Sequence, residues 1–258
     1  FYLRSIFASY KTEARLFYRA RNNIDDRMER GALLIPADFD RCLSRAMQTL
    51  AGVMNFVEQL RRDNNENVEK LRSDLFSRKG MIEKWNINLL AALVLSGGGQ
   101  RPQVYAQLEV PEPSEIELLQ EECSGNRKYF SMRAGFEKTT RSPDLPKSLF
   151  PRVLLKYISF HALTLRPLLM QQIFGGNEIL AHNNLLLHTR RGVPLKSSDI
   201  TRTIGRFFER IDPELSKITP MAIRGSYASM MLQAHRRGEI FRDFGEQAFL
   251  QFLAKQMN

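Results

Sequence analysis

The chain has 258 residues, 43% hydrophobic and 26% charged, a balance that excludes a disordered or fibrous protein and gives enough apolar mass for one large domain or two small ones. Two cysteines, Cys42 and Cys123, exclude a disulfide framework and point to a reducing compartment; the four histidines, His161, His182, His188 and His235, add no zinc-ligand spacing. A net charge of +10 favours polyanions, because each neutralised phosphate releases condensed counterions, although a basic organellar or ribosome-associated protein has the same balance.

No stretch approaches the roughly 18 uninterrupted apolar residues of a membrane span, so no membrane partner is expected. The chain opens on Phe1 and closes on Gln256-Met257-Asn258 directly after an apolar helical run, and both ends read as cuts in a longer protein. Within residues 1–30, Phe7, Tyr10 and Phe17 stand at helical spacing among many arginines, which predicts a basic amphipathic helix or helix pair. Pro36 suits the first turn of a second helix, and Leu43, Met47, Leu50, Met54 and Val57 carry its apolar stripe to about Leu60. Asp63-Asn64-Asn65 breaks that helix, and a charged segment runs on to Gly80. A third helix is expected from Ile82 to Leu95, closed by Gly97-Gly98-Gly99.

Pro111 and Pro113 punctuate a short acidic stretch. From Tyr129 to Glu137, Phe130, Met132, Ala134 and Phe136 alternate with Ser131, Arg133, Gly135 and Glu137, the period of a half-buried strand. A turn rich in Thr, Ser, Pro and Asp follows, and Pro151 then begins a helix through Leu169. Leu185-Leu186-Leu187 reads as a short strand, Arg190-Arg191-Gly192 as a turn, and Ser198-Asp199 as the N-cap of a helix to about Ile211. Thr219-Pro220 opens another helix to about Arg236, and a last one covers Phe241 to Lys255. The sum is mainly α with a small antiparallel β-hairpin or sheet.

Four blocks stand in order between Leu93 and Ser229. The first is Leu93-Val94-Leu95-Ser96-Gly97-Gly98-Gly99-Gln100-Arg101, with an apolar Leu108 seven positions on. The second is the strand that leads to Glu137-Lys138-Thr139. The third is His188-Thr189-Arg190-Arg191-Gly192-Val193-Pro194-Leu195, followed by Ser198-Asp199 and a helix. The fourth is Thr219-Pro220-Met221-Ala222-Ile223-Arg224-Gly225-Ser226-Tyr227-Ala228-Ser229. Together they resemble the catalytic domain of the tyrosine recombinases, the phage-integrase family that cuts and rejoins DNA.

The resemblance implies a DNA breaking-rejoining fold over residues 81–258 and a helical, core-binding-like DNA clamp over residues 1–80. It makes Arg101 and Arg224 two guanidinium clamps on the non-bridging phosphate oxygens and Lys138 the general acid toward the departing 5′ oxygen. Lys255 falls where the family has a later His or Trp and stands in as a donor. Met221 occupies the place of a histidine that exchanges protons in the family, and Val104 that of an acidic residue; a thioether exchanges no proton. Met221, Arg190 and Arg191 are the positions expected to face the substrate. The nucleophilic tyrosine is expected past Asn258, on a missing C-terminal tail. A 3′-phosphotyrosyl bond conserves bond energy, so the resemblance implies no metal, ATP or small-molecule cofactor. The expected partners are double-stranded DNA and, on it, further copies forming a tetramer; the expected location is inside the cell with the genome, in the nucleus of a eukaryote. An integrase of a mobile element, or a domesticated descendant, fits that description.

Each residue also has a structural reading. Arg101 after a glycine turn favours a helix C-terminus as a cation does; Arg224 among Ile223, Tyr227 and Met231 is equally a partly buried structural arginine. Lys138, near Lys128, Arg141 and Lys147, is equally a solvated hairpin lysine, Tyr227 reads as packing, and His188 and His235 read as surface or satisfied core residues. Two other functions stay open: a non-catalytic architectural DNA-binding protein that keeps the fold, and a helical scaffold or RNA-associated protein with accidental matches.

Overall fold

The computed structural model describes residues 34–65, 67–97, 100–124, 128–134, 147–175, 185–189, 191–240, 242–243 and 245–257. The helices expected within residues 1–30 and the strand positions beyond Ala134 lie outside them. The described residues are mainly helical, with one two-stranded antiparallel sheet.

Helix α1 (Pro36–Asp63) starts where Pro36 was expected to start it and runs three residues past the expected end. Its buried stripe is Phe39, Cys42, Ala46, Leu50, Val53 and Val57. Only Leu50 and Val57 belong to the predicted stripe, whereas Leu43, Met47 and Met54 flank the core half-buried. Both stripes have helical spacing. The small side chains of Cys42 and Ala46 let the neighbouring backbone approach, and that turns the helix toward them. The charged segment that follows is itself a helix, α2 (Val68–Ser77), capped by the Asn67 side chain, which accepts from the Lys70 N–H at 3.0 Å.

Helix α3 (Met81–Ser96) is the central rod. Every residue from Trp85 to Leu95 is buried, Asn86 and Asn88 included, so the helix is enclosed around its circumference, as a core helix should be. It packs most extensively on α1, and one continuous buried cluster joins Leu34 in the first described segment to Ile223. Two helices the sequence did not announce follow, α4 (Pro102–Ala106) and α5 (Pro113–Ser124). In both, proline is the first helical residue, where its missing N–H costs nothing.

Strand β1 (Tyr129–Arg133) pairs antiparallel with β2 (Lys147–Pro151), Tyr129 opposite Pro151 and Arg133 opposite Lys147. The expected alternation holds: Phe130, Met132 and Ala134 are buried, Tyr129 and Arg133 exposed. Helix α6 (Arg152–Phe174) runs five residues beyond its expected end and closes on Gly175 at φ +57°. It contains a π-turn at His161–Leu165, where the Arg166 N–H reaches back five residues to the His161 carbonyl. Pro167, one residue on, has no N–H and crowds the carbonyl four residues before it, which opens the helix by one residue there. By length and composition α6 is the one described helix long and apolar enough to cross a membrane; 67% of its apolar window is buried against this protein's own core.

The Leu185–Leu187 segment pairs by isolated bridges instead of forming a strand: the Leu186 N–H donates to Leu108 at 2.7 Å and the Leu195 N–H to Leu187 at 3.1 Å. Gly192 at φ +74° closes the tight turn within it. Helix α7 (Ser197–Ile211) begins earlier than Ser198-Asp199 suggested. Lys196 is the N-cap, and Asp199 reaches back to accept its N–H at 3.0 Å. Helix α8 (Pro220–Arg236) starts as expected, with the Thr219 hydroxyl accepting from the Ala222 N–H at 3.1 Å. The last helix, α9 (Glu246–Met257), begins five residues later than expected, after Gly245, whose carbonyl takes its first-turn bond from Phe249. Phe249 stacks on His235 at 4.2 Å and packs with Met231 and Leu232 in a small satellite core.

Candidate functional site

The C-terminal end of α3 is built to bring the chain out in one direction. A Cβ at Gly97 would stand 2.7 Å from the Leu93 carbonyl, 2.9 Å from the Phe150 ring and 3.1 Å from the Tyr105 hydroxyl, so only glycine fits. At Gln100 the backbone N–H donates to Tyr105 Oη at 3.1 Å. Arg101 follows in extended conformation (φ −66°, ψ 147°), the geometry the next residue, Pro102, imposes. Its side chain is exposed, with no carboxylate partner among the described residues.

Tyr105 is fully buried, and burial raises its phenol well above the ordinary tyrosine range; the Gln100 N–H and the positive charge of Arg224 work in the opposite direction. The Tyr105 hydroxyl is therefore held by the turn that presents Arg101 and lies within electrostatic reach of Arg224, far along the chain. On α8, Met221, Arg224 and Tyr227 recur every three residues on one face. Met221 is 53% exposed. Arg224 is half-buried and held by an interaction within the protein. Tyr227 is half-buried too; burial raises its phenol, and Tyr129 at the start of β1 adds to the rise. Electrostatic influence thus links three segments: α4 with the first two turns of α8 through Tyr105 and Arg224, and α8 with the first residue of β1 through Tyr227 and Tyr129.

Lys138 and Arg190 lie outside the described residues, and of Lys255 only the backbone, in α9, is described. Arg191 is exposed at the Gly192 turn, its N–H directed at the Thr189 hydroxyl at 3.3 Å. That segment is tied to α3 by the Asn86 side chain, which donates to the His188 carbonyl at 3.0 Å. Asn86 sits roughly 16 Å below Gly97 along the helix axis, at 1.5 Å per residue.

A second polar cluster lies in the core, unannounced by the sequence. The Trp85 indole N–H donates to His161 Nδ1 at 3.0 Å, so Nε2 carries the proton and donates to the Leu186 carbonyl at 2.9 Å. His188 is 2% exposed and neither ring nitrogen has a hydrogen-bond partner; the Asn86 Oδ1 is likewise unpartnered. The expected surface or satisfied His188 is thus a buried, unsatisfied one, because its backbone is drawn inward by Asn86. Burial first, then the charge of nearby Arg166, pushes His188 down to about 4; burial holds His161 at about 4 as well. Among the described residues no group of three His, Cys, Asp or Glu side chains is placed to hold a metal ion.

Replacing Tyr105 by Phe removes the acceptor of the Gln100 N–H. Tyr105→Phe is expected to lower the unfolding free energy by about 1–2 kcal/mol in urea melts; an unchanged midpoint would show that this hydroxyl does not hold the Arg101 turn.

Comparison with family models, with curated proteins and with solved structures finds no match for this chain.

Proposed function

We propose that this is a DNA-binding protein with the tyrosine-recombinase catalytic fold, whose full-length gene product cleaves and rejoins DNA through a 3′-phosphotyrosyl intermediate. One observation carries the reading: the positive charge of Arg224 acts on the same buried phenol that holds the turn bearing exposed Arg101. Two guanidinium groups converging on one phosphodiester would stabilise the charge that builds on its non-bridging oxygens, an effect worth a few kcal/mol per donor in a transition state. The hairpin begins at Tyr129, within electrostatic range of Tyr227, and Lys138, outside the described residues, would be the acid for the leaving 5′ oxygen. The net charge of +10 supports a nucleic-acid partner, with double-stranded DNA and a DNA-bound tetramer belonging to the same reading.

A second reading, a catalytically inactive DNA-binding protein, is favoured by Met221. It stands exposed one helical turn before Arg224, where the proton-exchanging histidine of the family would be, and buried Val104 replaces an acidic residue.

Affinity for duplex DNA, measured against salt, tests both readings. A log–log slope of about −4 or steeper is expected, corresponding to about five neutralised phosphates; absent or salt-insensitive binding rejects both. A nicked suicide duplex then separates them. The full-length gene product traps a covalent adduct if it is a strand transferase, and none if it only binds.

A further inference from the structure

At the opposite end of α3 from Gly97, two adjoining cavities of about 380 and 400 Å³ share Arg45, Arg210 and Ile211 and form one cleft. Its walls are the outer face of α1, the first two turns of α3 and the last turn of α7. Three cations face it from three helices: Arg45, Lys84 and Arg210. All three are exposed, and none has a carboxylate partner among the described residues. Arg41, at its edge, is by contrast bound to Asp38 at 3.0 Å and Asp212 at 3.2 Å.

The unpaired state is written into the sequence. Within their own helices Arg45, Lys84 and Arg210 have no Asp or Glu three or four residues away, whereas Arg41 and Arg202 each take an aspartate three residues back. Glu83 is the single acidic side chain on the wall, against three free cations. The N-cap of α3, Gly80, also lines the cleft and offers no side-chain cap, which leaves the positive end of a 16-residue helix facing it. Ile87, Phe207 and Ile211 supply an apolar floor beside the charges. The size is that of a small-ligand pocket.

We propose that this cleft is a second anion site, which binds a phosphate ester with the phosphoryl oxygens on Arg45, Lys84 and Arg210 and the organic part on Phe207 and Ile87. The phosphate comes from a free nucleotide or from a nucleic-acid backbone. The site lies about 24 Å of helix away from the Arg101 turn, sixteen residues at 1.5 Å each, and stands without the strand-transfer reading.

The test compares the wild-type chain with an Arg45→Gln/Arg210→Gln double variant. A control pair, Arg202→Gln/Arg237→Gln, removes the same charge from exposed ion-paired positions. Adenosine monophosphate and inorganic pyrophosphate are titrated calorimetrically, and a short duplex by fluorescence anisotropy across a salt series. Loss of about tenfold or more in nucleotide or pyrophosphate affinity, confined to the cleft variant, marks a free phosphate ester as the ligand. A fall of about two in the salt slope on duplex, again confined to the cleft variant, marks the backbone as the source. Equal behaviour of the cleft and control variants in both titrations overturns the proposal, whether or not Arg224 acts on DNA.

Discussion

Lowering the pH from 6.5 toward 4 is expected to remove about 3 kcal/mol of stability for each of His161 and His188, enough together to unfold a domain of ordinary stability. Both imidazoles titrate near 4 when folded, against about 6.5 in an unfolded chain. Above 6.5 neither state is protonated, and the stability is fully present. Below 6.5 the unfolded chain takes up two protons that the folded protein refuses, and stability falls by up to about 1.4 kcal/mol per pH unit per histidine, levelling only near pH 4. Of the groups facing the pair, Arg166 is a cation and Trp85 offers His161 a donor; only the Leu186 carbonyl favours protonation, and burial outweighs it for both rings. A proton on His161 would sit on Nδ1, directly against the indole N–H. Urea melts between pH 7 and 4.5 should therefore steepen toward the loss of two protons. His188→Leu should halve that dependence while keeping the fold, because neither ring nitrogen makes a hydrogen bond that leucine would forfeit. A flat profile in the wild type would show that both rings protonate as readily in the folded protein as in the unfolded chain.

Where local chemistry dictates the outcome, the sequence was legible. The unbroken apolar run of α3, the Thr219-Pro220 start of α8 and the alternation at Phe130, Met132 and Ala134 each need only short-range information. The misses are tertiary. Helices α2 and α5 each hide a small apolar contact, Leu71 and Leu75 in one and Ile116 in the other, within charged segments that read as connectors. Strand β2, bounded by prolines, looks like a turn until β1 supplies its hydrogen bonds. On α1 two stripes of equal spacing compete, and only the partner helix chooses between them.

The candidate site divides the same way. Arg101 and Arg224 came from motif order. Tyr105 did not, because a tyrosine in a short apolar helix reads as packing until its hydroxyl is seen against the Gln100 N–H. The His161 and His188 pair likewise follows from pairing across the fold, since no spacing in the chain relates them. The one available signal was Trp85, the lone tryptophan: a buried indole needs an acceptor. Arg45, Lys84 and Arg210 carry a subtler trace, the absence of any acidic residue three or four positions away on their own helices.

Under the proposed strand-transfer function, Arg224→Ala is expected to slow strand cleavage by about 10²–10³-fold, the loss typical of one donor aimed at developing charge, while weakening duplex binding by less than about threefold. The asymmetry follows from numbers: binding sums over many phosphates, whereas the cleavage step depends on the one phosphate that changes charge. Arg224→Lys keeps the charge and loses the planar fork, so binding should recover fully and the rate only in part. The rival structural role makes a different prediction. Arg224 is half-buried with a partner inside the protein, and its charge opposes the effect of burial on Tyr105. If that is all it does, Arg224→Ala drives the Tyr105 phenol still higher and lowers the melting temperature, and binding and cleavage fall together in proportion to the unfolded fraction. Melting temperature, duplex affinity and single-turnover cleavage, measured on the same three proteins, separate the two: only a rate that drops while the other two hold assigns Arg224 to the reacting phosphate.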